Sequence, residues 1–384
     1  MVRVYRTAAA AIAVVVLLAL LPPAPAASAT TNVAIQDNFF TPTPVTVTQG
    51  DTVQWTRLGG NPHTVTADNG SFDSGTLSSG QLYSRAFSTP GTFRYYCLFH
   101  GAPGGIGMSG VVTVVPRRKP PADFNGNGST DISVFRPTTG QWFVKGGAPE
   151  LTTYGVNGDL AVPADYDGDA STDKAIFRPS TGQWFVRGGS PELTLYGATG
   201  DVPVPGDYKA DTTFDKAVFR PSTGQWFVQG GTPELVQYGV SGDIPVPADY
   251  DGNGSFDVAV YRPSTGQWFV RGGGPEVTQF GAGGDIPVPG DYNGDAVTDK
   301  AVYRPSTGQW FVAGPGGTLV LYGASGDQPQ PGDYDADGTT DEAVYRPSTG
   351  QWFVRGVVPE VSIYGLSADV ALPLPYAIRR VFFP

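Results

Sequence analysis

The feature that most limits what this chain can fold into is a repeat: Trp142, Trp184, Trp226, Trp268, Trp310 and Trp352 stand 42 residues apart. One unit, Asp165 to Pro205, reads DYDGDASTDKAIFRPSTGQWFVRGGSPELTLYGATGDVPVP. Its turn residues divide it into KAIFRP, GQWFVRG, ELTLYG and an extended DVPVP, three or four short strands that cannot bury their own apolar face and must stack on a neighbour. The prolines of VPVP have no N–H to donate, so that segment is an edge strand or an extended link. Six such units predict a β-propeller of six 42-residue blades, or seven if the chain ends pair to build one. The tail YAIRRVFFP is long enough for a strand that closes the ring. A Trp and an Arg that return in every RPSTGQWFV-like stretch read as core between blades rather than as a sugar platform, because every blade must bury the same face.

Each unit opens with an acidic loop. Oxygen-bearing residues at positions 1, 3, 5 and 9 suit a compact Ca²⁺ loop, completed by a backbone carbonyl at position 7. Loop two (Asp165, Asp167, Asp169, Asp173) and loop six (Asp333, Asp335, Asp337, Asp341) carry four carboxylates. Loops four (Asp249, Asp251, Asn253, Asp257) and five (Asp291, Asn293, Asp295, Asp299) carry three. Weaker sites are expected in loop one (Asp123, Asn125, Asn127, Asp131) and in loop three (Asp207, Asp211, Asp215), where Lys209 brings its own cation. This region, about residues 122 to 375, resembles the FG-GAP/VCBS repeats of integrin-like propellers. The resemblance implies structural calcium and a broad surface for a protein or polysaccharide.

Before residue 116 the pattern changes. VTVT, DTVQW, TFRYY and VVTVV alternate apolar and polar residues, giving about seven half-buried strands in residues 30–115, a small sandwich in an all-β chain. Residues 1–29 precede it with Arg3, Arg6, an apolar run from Ala8 to Leu21 and the triplet Ala27-Ser28-Ala29, the layout of a secretory signal peptide. No later apolar stretch is long enough to span a bilayer, so the mature protein is expected outside the cytoplasm, secreted or periplasmic. The basic run PRRKP, within a linker at 116–121, reads as a solvated hinge before the repeat region of 122–384.

An exported chain with one cysteine, Cys97, has no internal disulfide to form, so another partner should occupy the sulfur. Beyond the leader, His63, Cys97, His100 and Met108 are all the imidazoles, thiols and thioethers there are. Two imidazoles, a thiolate and a weak thioether form the donor set of a blue-copper site. The segments GDTVQW, PHTV and YYCLFH…GMSGVVTV resemble a plastocyanin-type cupredoxin, a Greek-key sandwich, over nearly all of residues 32 to 115. That resemblance implies one type 1 copper, His63 from a mid-domain loop, the other three ligands from one loop, and a Thr64 N–H aimed at the Cys97 sulfur. Seven residues, GAPGGIG, separate His100 from Met108, where about four are usual in plastocyanin-like loops. Four of the seven are glycines able to fold the excess into a tight bulge.

The inventory also excludes. There are too few histidines for a multicopper oxidase, no C-x-x-C-H for haem, and no spare His for a hydrolytic triad. A formal net charge of −11 argues against nucleic acid. The expectation is a non-enzymatic one-electron carrier serving an unidentified redox protein. The alternative is an adhesion or glycan-binding protein whose copper is stored or buffered.

Overall fold

The computed structural model describes residues 30–383 except 88, 90, 116–118, 315 and 316. The leader expected at 1–29 and the arginines of the basic run lie outside the described residues.

Eight strands, one more than the alternation predicts, form the N-terminal region: β1 (Thr30–Gln36), β2 (Phe39–Thr41), β3 (Val45–Thr48), β4 (Thr52–Arg57), β5 (Thr66–Ala67), β6 (Leu82–Ala86), β7 (Gly91–Ala102) and β8 (Ile106–Val115). They make two four-stranded sheets, ordered β2-β1-β4-β6 and β3-β8-β7-β5. The pairs β1–β4 and β3–β8 are parallel, so the chain crosses between sheets rather than meandering. Period-two alternation turns Val45, Val47, Val53 and Trp55 inward, onto a core shared with Tyr95, Val112 and Val114. Trp55 is fully buried and meets Tyr95 edge-on at 5.4 Å between ring centres.

From residue 133 onward the chain builds six four-stranded antiparallel sheets. In the second repeat the strands are Leu160–Ala161, Ala175–Arg178, Gln183–Val186 and Leu193–Leu195, paired in that order. Val202–Pro203 is an edge strand, as its proline requires. All six repeat tryptophans are fully buried, and Trp184 donates its Nε1–H to the Tyr196 carbonyl at 2.7 Å. Arg178 forks onto the buried carboxylate of Asp159 at 2.7 and 2.8 Å and lies over the Phe185 ring. Both groups that could have bound sugar are engaged internally.

Two links join the ends of this region. The first sheet takes its fourth strand from residues Val370–Ala371, which pair with Phe135 and Val134. Arg136 likewise forks onto Asp369, 233 residues away, where the equivalent arginines find an aspartate 19 residues back. Each acidic loop is also tied to the one before it: the N–H at position 8 donates to the position-1 carbonyl of the preceding loop, and Thr130 of loop one donates to Asp333 of loop six.

One expectation fails here. The tail forms a helix, α1 (Tyr376–Phe382), not a closing strand. The free edge of the first sheet is already filled by Val370–Ala371, and Pro375, which has no N–H to give to a ladder, stands just before the helix. Ala377, Ile378 and Arg379 are buried, and α1 touches the leading strands of three different sheets.

Candidate metal centre

The centre is built by an irregularity in the β7–β8 hairpin. Tyr96 pairs with Ser109 and Gly101 with Gly107, so Cys97 to His100 bulge opposite the single residue Met108. A bulge re-aims side chains that regular pleating would alternate across the sheet. The long GAPGGIG segment continues as hairpin: Ala102 pairs with Ile106, and the tip turns at Gly104 and Gly105 with φ of 87° and 84°. Gly107, at φ 66°, also admits no side chain, since a Cβ there would fall 2.4 Å from the His100 carbonyl oxygen.

His63 comes from the chain between β4 and β5, anchored by an isolated bridge to Leu77. The sulfur of Cys97 lies 3.5 Å from Nδ1 of His63 and 3.5 Å from Nδ1 of His100. Metal bonds of about 2.0 Å to nitrogen and about 2.3 Å to sulfur, opened to about 110–120°, separate the donor atoms by about 3.5–3.7 Å, so the sulfur and the two nitrogens fit one ion. Cys97 and His63 are fully buried, Met108 is buried, and His100 is half-buried. The Thr64 N–H points at the sulfur at 3.4 Å, and the Thr64 hydroxyl oxygen accepts from the Leu98 N–H at 2.9 Å. Thr64 thus ties the His63 segment to the Cys97 bulge.

Sequence reasoning missed Asp37. Its carboxylate lies 3.4 Å from Nε2 of His63 and accepts N–H bonds from Gly60 (3.0 Å) and Asn61 (2.9 Å). The Asn61 and Gly60 N–H groups hold its pKa down to about 2. Burial pushes the His63 pKa below its ordinary value, against the pull of Asp37. With Nε2 turned to Asp37, Nδ1 is the nitrogen presented to the cysteine, the carboxylate–imidazole–metal order of metal proteins. Asp37 is 26 residues from His63 and belongs to no pattern, so only folding reveals it.

Residues 27–115 match the family of copper binding proteins of the plastocyanin/azurin type. Plastocyanin of Scenedesmus fuscus is 35% identical over 86 residues, which are 20% of this chain and 85% of that protein. This chain belongs to the plastocyanin/azurin family. The chloroplastic plastocyanin of Tetradesmus obliquus is 33% identical over 86 residues, covering 57% of its length. Among solved structures, a purple cupredoxin from Nitrosopumilus maritimus is 30% identical, covering 22% of this chain and 97% of that one at a TM-score of 0.19. The family likeness covers the sandwich alone. Among the described residues no helix is long and apolar enough to cross a membrane.

This plastocyanin/azurin relative holds further acidic groups in its repeats. Ligand-capable oxygens gather within 4.8 Å of one another at Asp165, Asp167 and Asp173, at Asp249, Asp251 and Asp257, and at Asp333, Asp335 and Asp341. These are positions 1, 3 and 9 of loops two, four and six. Position 5 serves the turn instead: Asp169 and Asp337 accept from Ser171 and Thr339, as Asn253 does from Ser255. The other loops satisfy position 9 themselves. Asn125 donates to Asp131 at 2.8 Å, Asn293 to Asp299 at 3.2 Å, and Lys209 lies 2.7 Å from Asp215. Loop five, expected to rank with loop four, has an amide, Asn293, at position 3, where loops two, four and six have a carboxylate. Burial first and the neighbouring carboxylates second raise the pKa of Asp173 and Asp257 to about 6 and of Asp341 to about 7. Lys119 of the basic run is not merely solvated: its ammonium pairs with Asp165 and the Thr212 carbonyl.

Proposed function

We propose that this protein is an exported one-electron carrier whose type 1 copper would be held by His63, Cys97, His100 and Met108. The convergence of the Cys97 sulfur with two Nδ1 atoms at 3.5 Å carries this reading. Copper bound there would supply a one-electron couple. The chain's own part is to keep the donors still: the β7–β8 hairpin fixes Cys97 and His100, Thr64 and Asp37 fix His63, and the Thr64 N–H withdraws charge from the sulfur. His100 is the ligand nearest solvent, flanked by Leu98 and Phe99, both more than half exposed, which makes it the exit for an electron toward a redox partner.

We further propose that the six sheets are six blades of an FG-GAP/VCBS-type propeller, joined through linker 116–121. The pairing of Val370–Ala371 with the first sheet and the loop-to-loop bonds running from loop six to loop one support closure. Calcium belongs in loops two, four and six, where three carboxylates face one point, and the leader at 1–29 directs export. A glycan-binding module with copper in store is the less favoured reading, since the repeated Trp and Arg are occupied within the fold.

The test is the visible spectrum of the copper-loaded protein beside Met108→Gln. An intense thiolate-to-copper band that shifts in the variant is the expected result. A strong band that does not move removes Met108 from the ligand set, and absence of the band overturns the electron-carrier reading.

A further inference from the structure

The repeat axis holds a cavity of about 600 Å³, lined by the equivalent prolines of all six repeats: Pro163, Pro205, Pro247, Pro289, Pro331 and Pro373. That is the size of a small-molecule site, and its walls are largely apolar. Two departures from six-fold regularity face it. The first is at position 8 of the acidic loops, where Thr130, Thr172, Thr298 and Thr340 recur but Phe214 and Phe256 stand in loops three and four. Both phenyl rings line the cavity, edge to face at 5.4 Å, and both are only partly buried.

The second departure is Arg379 of α1, which also lines the cavity. It is 7% exposed, and its Nε donates to the Leu374 carbonyl at 2.8 Å. Among the described residues no carboxylate pairs with it, and the Leu374 carbonyl is the one hydrogen-bond acceptor it has. Each repeat arginine, by contrast, is forked onto a buried aspartate. A buried cation without a counter-ion is costly, and burial draws this one down to about 10. The aspartates that line the cavity hold other partners: Asp51 accepts from Thr48, Asp123 from Asn127 and Gly128, Asp165 from Gly168, Ala170 and Lys119, Asp291 from Gly294 and Ala296, and Asp337 from Thr339. The free oxygen of Asp333 belongs to loop six, one of the calcium loops proposed above.

We infer that this axial cavity binds a small organic carboxylate with an apolar body, its carboxylate on the terminal nitrogens of Arg379 and its body against Phe214 and Phe256. Two parallel N–H···O bonds in a dry pocket give the guanidinium the partner it lacks. The site is independent of copper.

Calorimetric titration of the full calcium-saturated chain with octanoate tests the assignment, with 1-octanol and octylamine as controls of equal length. One saturable octanoate site is expected, with both controls at least about tenfold weaker, a gap of about 1.4 kcal/mol. Arg379→Gln should cost octanoate a similar factor and leave octanol unchanged. The double variant Phe214→Thr/Phe256→Thr installs the residue of the other four repeats and should weaken octanoate severalfold with the fold intact. Absence of saturable octanoate binding, octanol binding as tightly, or full affinity in either variant would overturn the proposal. If Arg379→Gln does not fold, the ligand series and the phenylalanine variant decide it.

Discussion

The two regions of this molecule use their residues in opposite ways. The sandwich uses each metal-capable side chain once: one thiol, two imidazoles, one buried thioether. The repeat region uses its main structural devices six times, among them the buried Trp and the Arg–Asp fork. A unique site is legible by inventory and destroyed by one substitution. A repeated scaffold spreads each loss, and its information lies where the repeat is broken.

Cys97→Ser gives the largest contrast. It should abolish the thiolate-to-copper band outright while circular dichroism shows an unchanged β fold, since the oxygen fits the space of the sulfur. Persistence of an intense band would remove Cys97 from the centre. Trp184→Ala is the counterpart in the repeats. Losing a fully buried indole and its bond to the Tyr196 carbonyl should cost about 3–5 kcal/mol. Denaturation followed by intrinsic fluorescence should shift accordingly, while the visible band of the sandwich melts where it did. A band that melts together with the weakened repeats would show that the two regions unfold as one.

The acidic loops sharpen the comparison by their differences. Asp167→Asn gives loop two the amide of loops one and five, and equilibrium dialysis should show one calcium ion fewer; Asn293→Asp should add one. Unchanged stoichiometry in both would sink the position-3 argument. With chelator present the pH dependence has a definite sign. Asp173, Asp257 and Asp341 hold their protons to about pH 6–7 when folded but only to about 3.9 when unfolded. Between those values the folded state binds more protons, so metal-free stability falls as pH rises from about 4 to about 7. Calcium should remove the part of that fall carried by loops two, four and six and leave the part from Asp131 of loop one, which burial likewise raises to about 7; thermal melts at several pH values read both.

Much of this was legible in sequence because its signals are local or periodic. The strand quartets follow from turn residues and the 42-residue period, and the donor set from counting four side chains. The fate of GAPGGIG was not legible, because whether seven residues crowd a site or lengthen a hairpin depends on pairings such as Ala102 with Ile106. The tail misled for a related reason: YAIRRVFFP has the composition of a strand, but its destination depends on a sheet edge already filled from residue 370. Loop five carries as many carboxylates as loop four but has its amide at position 3, and that Asn293 donates to Asp299 is seen only in the fold.

The smallest predicted effect concerns the residue that no pattern announces. Asp37 touches no metal-facing atom; it acts through Nε2 of His63 and is itself held by the Gly60 and Asn61 N–H groups. A negative charge behind a ligand imidazole strengthens its donation and favours the more highly charged Cu(II) state. Asp37→Asn keeps the shape and removes the charge, so the reduction potential should rise. The carboxylate is partly exposed and screened by water, which limits the rise to tens of millivolts. The visible band should stay, because Cys97 and both Nδ1 atoms remain in place. Asp37→Ala also frees the Gly60–Asn61 segment and should broaden the copper electron paramagnetic resonance lines as His63 loosens. A potential unmoved in Asp37→Asn but a disturbed spectrum in Asp37→Ala would make Asp37 a brace for the loop and nothing more. A shift in both makes it part of how the sandwich, with its single set of ligands, sets the potential of its metal.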